Sequence, residues 1–255
     1  MRILLVVVGL LMVWFGPMAA SRADTVAMVF PPYQPPYILL GGDDTAHTRE
    51  GIMLDIIRES LALKGHTLEP RMVPYNRFAT ELESGKVQAV GYMKGDLPSL
   101  FASQESIHFT NAAITHKADT RELSSLADLA GRKLVTWQGA EDDLGQDFAA
   151  MIPSMALYKE MADQARQTRV FVLNRADVIV LDEYIFRYFA RSYEQDLSDF
   201  VYNDIVGGRL GFSTGFVSEQ IRDDFDEGLA KLKESGRYLE IYNYYANDYV
   251  LTREE

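Results

Sequence analysis

Aromatic and charged residues follow directly after five short apolar stretches of the chain. They are Tyr33 and Tyr37, Tyr75 and Arg77, Tyr92 and Lys94, Trp137 and Glu141, and Asp182. If the stretches are parallel strands, these residues lie beyond the carboxyl ends of the strands, where open α/β sheets bind their ligands. Aromatic rings with a few fixed charges suit the reversible capture of a small polar solute, which needs no covalent step.

Each of these residues also has a structural explanation. Tyrosine and tryptophan at strand ends often close a core, and Arg77 and Lys94 could be solvated surface charges. Asp182 directly precedes a helical stretch, where it would serve as an N-cap. The convergence of the whole set, rather than any single residue, favours a ligand-binding edge.

Catalytic motifs are weak. Residues 211–215, GFSTG, have the Gly-x-Ser-x-Gly pattern of a hydrolase nucleophile, but all four histidines precede Ser213 and that mechanism needs a later one. The chain has no cysteine and no His-Glu-x-x-His pattern, so we expect neither a metal site nor a cofactor. The acid pairs Asp142-Asp143 and Asp223-Asp224 are interpreted as solvated helix faces, because adjacent helical residues point in different directions.

Two α/β units must position the candidate residues. In the first, the apolar pattern predicts strand 25–30, helix 53–63, strand 67–73, helix 75–85 and strand 87–90. In the second, it predicts helix 125–130, strand 133–137, helix 142–149, strand 155–157, helix 161–172, strand 178–181 and helix 183–190. Pro70 favours an edge position for its strand. Two C-terminal helices, ending near residues 236 and 249, must pack on an existing sheet.

The first 23 residues have the layout of a secretory signal peptide. Met1-Arg2 precedes an apolar run that ends at Phe15, small residues follow, and we expect cleavage near Ala23. The run is shorter than the roughly 20 residues of a membrane span. The absence of cysteine excludes disulfides and a lipid anchor, so we expect a soluble periplasmic protein. A net charge of −12 disfavours nucleic acid as a partner.

Seven motifs together resemble the family 3 extracellular solute-binding proteins, the periplasmic receptors best known from polar amino-acid uptake. In chain order they are YQPPYI (33–38), GIMLDI (51–56), ELESGKVQAVGYM (81–93), HFTNA (108–112), LADLAGRKLVTWQGAE (126–141), NRADVIVLDEY (174–184) and LKESGRYLEIYNYY (232–245). Each motif is loose alone, but their order and spacing extend over nearly all of the chain that follows the leader.

The resemblance implies an α/β fold of the type II periplasmic-binding-protein kind. This is a two-lobe clamshell in which each lobe is a mostly parallel sheet flanked by helices. One lobe would comprise residues 24–110 and 206–255, the other residues 111–205, and closure would be a hinge motion. The implied protein is not an enzyme. It passes a small polar solute to an ABC permease or, alternatively, to a membrane sensor, and we expect it to be a monomer.

Departures from the family pattern bear on the ligand. The arginine that clamps a ligand carboxylate is missing from residues 95–110, and Gly139-Ala140-Glu141 replaces the usual Gly-Thr-Thr. Asp182 matches the family's ammonium-binding acid, and Arg77 or Lys94 could replace the missing anion partner. The ligand could instead be an amine, held by rings and by Glu141 and Asp182. These two acids also leave open a cyclohexadienyl-dehydratase-like enzyme, as a less favoured alternative.

Overall fold

The computed structural model describes residues 23–39, 50–93 and 97–245 of the 255-residue chain. Several predicted features lie outside these residues. They are the signal peptide up to residue 22, Lys94, and the part of the last helix beyond residue 245.

The described residues contain nine strands, which form one mixed sheet. The strands are β1 (Thr25–Phe30), β2 (Thr67–Met72), β3 (Ala89–Val90), β4 (Phe101–His116), β5 (Lys133–Trp137), β6 (Leu157–Met161), β7 (Val178–Asp182), β8 (Phe200–Asn203) and β9 (Arg209–Phe216). Their order is β2-β1-β3-β9-β4-β7-β5-β6, and β8 pairs with β4 beside this path.

Eight α-helices within the described residues cover the sheet. They are α1 (Ile52–Ala62), α2 (Phe78–Glu83), α3 (Ala140–Leu144), α4 (Gln146–Met151), α5 (Gln164–Val172), α6 (Glu183–Ser192), α7 (Glu219–Glu234) and α8 (Arg237–Asn243). In this part of the chain, no helix has the length and apolar character that a membrane crossing requires.

The first unit follows its apolar pattern closely. β1 is buried from Val26 to Phe30 and lies between β2 and β3, parallel to both, as a continuous apolar run predicts. β2 is the outermost strand, which confirms the edge position predicted from Pro70. The predicted helix 75–85 divides into a 3₁₀ turn, Tyr75–Arg77, followed by α2.

The long strand β4 joins the two parallel groups of strands. It is antiparallel to β9 as far as Thr110 and antiparallel to β7 and β8 from Asn111 onward. A second connection, between β8 and β9, runs beside it, and the Asn111 N–H donates to the Gly208 carbonyl over 2.8 Å. β4 changes partners between residues 110 and 111, at one of the two proposed lobe boundaries. Both boundaries, 110/111 and 205/206, stay a prediction.

The second unit shows two differences from prediction. Gly145 interrupts the predicted helix 142–149 and separates α3 from α4. Its φ of 84° is positive, and an α-helix cannot continue through a residue with a positive φ. β6 extends to Met161, so α5 begins only at Gln164, where Asp163 caps it through the Arg166 N–H. β5 matches its predicted range.

The C-terminal helices pack on the first group of strands. In α7, Asp224 is buried and accepts a hydrogen bond from His66 Nε2 at 3.1 Å, with Lys64 Nζ 3.4 Å away. The interpretation of Asp223-Asp224 as a solvated pair was therefore wrong for Asp224, because the turn after α1 supplies the buried His66 and the partly buried Lys64 as partners. The contact fixes α7 against the end of α1.

Close packing of α7 on α1 depends on one glycine. A Cβ atom at Gly228 would lie 2.0 Å from the Ser60 carbonyl oxygen, so no larger residue fits without backbone movement. We expect Gly228→Ala to lower the free energy of unfolding by about 1–3 kcal/mol, even though alanine raises helix propensity by about 1 kcal/mol. Urea denaturation measures the change. The control is Lys231→Ala on the exposed side of α7, and equal stability of the two variants would contradict this packing.

Candidate functional site

A cleft opens where the carboxyl ends of β1, β2, β3, β5 and β7 meet. It has an outer chamber of about 590 Å³ and an inner pocket of about 80 Å³. The outer chamber is lined by Pro31, Tyr33, Gln34, Tyr75, Asn76, Ala79, Tyr92, Leu97, Trp137, Gln138, Ala162 and Gln164. The inner pocket is lined by Gln34, Tyr92, Phe109, Asn111, Trp137, Asp143, Gln164, Leu181, Asp182, Ile185, Leu210 and Phe212. Four residues are shared, so the two spaces are continuous.

The proline-rich segment after β1 turns back on itself at the mouth of the cleft. Gln34 and Ile38 exchange two backbone hydrogen bonds of 3.0 and 2.9 Å, which closes a tight loop between them. The loop exposes Tyr33 in the outer chamber, where its hydroxyl is 3.5 Å from that of Tyr188 on α6. Tyr37, at the other end of the loop, points into the core and is fully buried.

Four aromatic rings form one wall of the cleft. Tyr92 meets Tyr75 edge to face, with ring centroids 5.5 Å apart, and meets Phe212 at 5.2 Å. Phe109 completes the group, 5.5 Å from Phe212. Burial raises the pKa of Tyr92, so its hydroxyl stays protonated at neutral pH. A Cβ at Gly91 would lie 2.4 Å from the Phe30 ring, which explains the glycine before this tyrosine.

The opposite wall carries the single indole of the cleft. Trp137 ends β5, and its Nε1–H donates to Asp143 Oδ2 at 2.9 Å. The left-handed Gly139, with φ at 88°, turns the chain into α3 and brings Asp143 back over the ring. Asp143 is exposed, as the interpretation of Asp142-Asp143 as a solvated pair predicts, and it also lines the inner pocket. Its neighbour Asp142 is also exposed but lies outside the lining.

Asp182 lies at the base of the inner pocket. Its carboxylate accepts hydrogen bonds from Ile185 N–H at 3.0 Å, Thr110 N–H at 2.7 Å and the Tyr37 hydroxyl at 3.1 Å. Burial raises its pKa to about 7, although these donors act in the opposite direction. The residue is therefore both the predicted N-cap of α6 and part of the cleft, and a neighbouring cation would favour its ionised form.

A further carboxylate caps the turn after β5. Glu160, near the end of β6, accepts the N–H of Gly139 at 2.9 Å and that of Glu141 at 3.0 Å. The Tyr158 hydroxyl donates to the same carboxylate at 2.8 Å. The backbone donors, together with this hydroxyl, lower the pKa of Glu160, so it is ionised at neutral pH.

The structure brings together five of the nine residues predicted for the site: Tyr33, Tyr75, Tyr92, Trp137 and Asp182. Three others do not line the cleft. Tyr37 is buried beneath Asp182, Arg77 pairs with Glu81 one helical turn away, and the exposed Glu141 contributes its backbone N–H to Glu160. The ninth, Lys94, lies outside the described residues.

Several lining residues were not found from the sequence. Gln34 lay within the quoted YQPPYI motif but carries no charge or ring, and Asp143 was interpreted only as part of a solvated helix face. Phe109 and Phe212 lie on β4 and β9, whose polar residues hide the strand pattern. Among the described lining residues, Asp143 and Asp182 carry the only ionisable carboxylates, and no Lys, Arg or His is present. The cleft described here is therefore aromatic and acidic.

Within the described residues, no group of three or more His, Cys, Asp or Glu side chains could hold a metal ion. The cleft is thus described by its rings, amides and two carboxylates.

Comparison with known proteins identifies the fold. No protein-family model matches the chain, and no curated protein matches it. Among solved structures, a substrate-binding protein of an ABC uptake transporter from Streptococcus pneumoniae with bound histidine has a TM-score of 0.66 at 16% identity. This match covers 87% of this chain and 92% of that one.

Two further structures extend this likeness. A histidine kinase sensor domain with similarity to periplasmic binding proteins has a TM-score of 0.65 at 17% identity, covering 89% of this chain and 97% of that one. An ancestral amino-acid-binding protein, described as a precursor of cyclohexadienyl dehydratase, has a TM-score of 0.65 at 15% identity, covering 88% and 96%. These matches show the fold: the chain has the α/β architecture of type II periplasmic binding proteins, as predicted.

The raised pKa of Asp182 predicts a specific pH dependence. In the unfolded chain this carboxyl ionises near its ordinary pKa, whereas in the folded protein it ionises near 7. The folded state therefore binds more protons between these values, and stability falls as pH rises through this window. Relative to Asp182→Asn, we expect the wild-type protein to lose about 2 kcal/mol of unfolding free energy between pH 5 and pH 8.

Urea denaturation of both proteins at several pH values measures this difference. Because the other titrating groups are common to both proteins, the difference between the two curves isolates Asp182. Parallel curves would show that the carboxyl is ionised at pH 5 and would contradict the assignment.

Proposed function

We propose that the chain is a periplasmic solute-binding protein that captures a small, positively charged polar solute in this cleft. The observation that carries the proposal is the composition of the lining, in which rings from both sides face two carboxylates. Tyr75 and Tyr92 form one wall, Trp137 the other, and Asp143 and Asp182 supply negative charge. Aromatic faces and carboxylates both attract a cation, and they do so more strongly where water is excluded.

Capture would use relative movement of the two groups of strands. The cleft lies between them, and β4 and the segment between β8 and β9 are the connections at its base. A solute that touches Tyr75 and Trp137 together contacts both walls, so its binding energy would favour the closed arrangement. This proposal includes the lobe boundaries at 110/111 and 205/206 and a signal peptide that is cleaved near Ala23.

The partner would be a membrane protein that recognises the closed form. An ABC permease is supported by the Streptococcus pneumoniae structure, which belongs to an uptake transporter. A membrane sensor remains the second candidate, supported by the histidine kinase sensor domain of the same fold. Both candidates need the same solute-binding step.

Catalysis is a separate candidate because of one observation. Asp182, with a pKa of about 7, could exchange a proton at neutral pH, as a general acid or base must. The likeness to a precursor of cyclohexadienyl dehydratase points to prephenate-like substrates. Three donors already occupy the Asp182 carboxylate, which favours a binding role. Incubation with prephenate and arogenate separates the two, since product formation would support the enzyme.

A ligand screen tests the proposed capture directly. We expect amines and other organic cations to raise the melting temperature, because a solute bound only by the folded state stabilises it. Trp137 is one of two tryptophans, and the other, Trp14, lies in the predicted leader, so emission from the leader-free protein reports on the cleft. Stabilisation by organic acids and not by any cation would contradict the proposal.

Neighbouring acids in α3 provide a matched pair of variants. Asp143→Asn keeps an acceptor for the Trp137 N–H but removes a charge from the pocket, so the affinity for a cationic solute should fall about tenfold. Asp142→Asn removes the same charge one residue away, outside the lining, and should change the affinity less than threefold. Isothermal titration calorimetry with the strongest cation from the screen gives both values. Equal losses would indicate a diffuse charge effect and no contact at Asp143.

A further inference from the structure

We infer that the cleft selects cations that carry no carboxylate, because the protein's own Glu160 occupies the backbone donors of the turn that borders the cleft. This inference rests on the proposed function and specifies the class of solute. It separates amines from amino acids, two groups that a cation-binding site alone would not distinguish.

The turn between β5 and α3 carries backbone N–H groups directly beside the lining of the cleft. Trp137 and Gln138, which begin this turn, line the outer chamber. Beyond them, the N–H groups of Gly139 and Glu141 point to the two oxygens of Glu160 rather than to open space. A solute carboxylate would have to displace Glu160, which also holds the Tyr158 hydroxyl.

Charge adds to this steric exclusion. Glu160 is ionised, because its donors lower its pKa, and it lies on β6, which pairs with the strand that ends at Trp137. A second carboxylate brought to this turn would meet Glu160 and Asp143, and like charges at short distance are repelled. Among the described lining residues, no Lys, Arg or His offsets the repulsion.

One buried acceptor of the cleft lacks a donor. The side-chain oxygen of Gln34 is buried and has no hydrogen-bond partner among the described residues, although Gln34 lines both chambers. An ammonium or guanidinium group carries donors and no acceptor, so it matches a site that presents acceptors. Gln34, Asp143 and Asp182 would then contact the same cationic end of the solute.

Matched pairs of an amino acid and its decarboxylated amine test this inference. The pairs are arginine and agmatine, lysine and cadaverine, and histidine and histamine, and calorimetry gives a Kd for each. Within at least one pair we expect the amine to bind at least tenfold more tightly than the amino acid. An amino acid that binds as tightly as its amine in every pair that binds overturns the inference and leaves cation capture in place.

Substitution of Glu160 identifies the cause of the selectivity. Glu160→Gln keeps the shape of the side chain but removes its charge, and Glu160→Ala frees both N–H groups. We expect the amine-to-amino-acid affinity ratio to fall at least threefold in each variant. Glu234→Gln, on the exposed end of α7, is the control and should keep the wild-type ratio.

The ratio is informative even where a variant is less stable, because misfolded protein lowers the binding of both compounds equally. An unchanged ratio in both Glu160 variants would overturn the role of this residue. If no compound of any pair binds and no other cation stabilises the protein in the thermal screen, the proposed function fails as well. The two failures are therefore distinguishable.

Discussion

One buried carboxylate connects the parts of the molecule that form the cleft. Asp182 ends β7 and caps α6, and it also holds the Thr110 N–H of the crossing strand and the Tyr37 hydroxyl of the loop after β1. Removing a carboxylate from water is costly, and only a full set of donors makes it tolerable. The position of the inner pocket therefore depends on three separate segments meeting at this side chain.

The remainder of the cleft follows from where strands end. Tyr75 and Tyr92 follow β2 and β3 within three residues, and Trp137 ends β5, so the three rings lie along one gap. Local contacts surround two of the rings: Tyr92 follows Gly91, where no larger residue fits beside Phe30, and Asp143 holds the indole of Trp137. Rigid rings lose little conformational freedom on binding, which favours recognition of a small solute.

The sequence predicted what depends on local pattern. β1 and β5 were located from their apolar residues, and the rings of the site from their place after strands. It did not predict contacts that join distant segments, such as Glu160 with the turn at Gly139, nor the buried side-chain oxygen of Gln34 that lacks a donor. Arg77 is a residue that the sequence wrongly assigned to the cleft. It pairs with Glu81, and the spacing of four residues between them could have been recognised in the sequence as a helical salt bridge. The 16-residue β4 was missed because polar residues interrupt its apolar pattern.

The two outermost strands of the sheet, β2 and β6, affect how copies of the protein can associate. β2, at one end, contains Pro70, which has no N–H to offer, between the charged Glu69 and Arg71. β6, at the other end, carries Lys159 and Glu160. Edges of this kind resist the addition of a further strand from a neighbouring molecule. We therefore expect these two edges to be poor starting points for aggregation, even at high protein concentration.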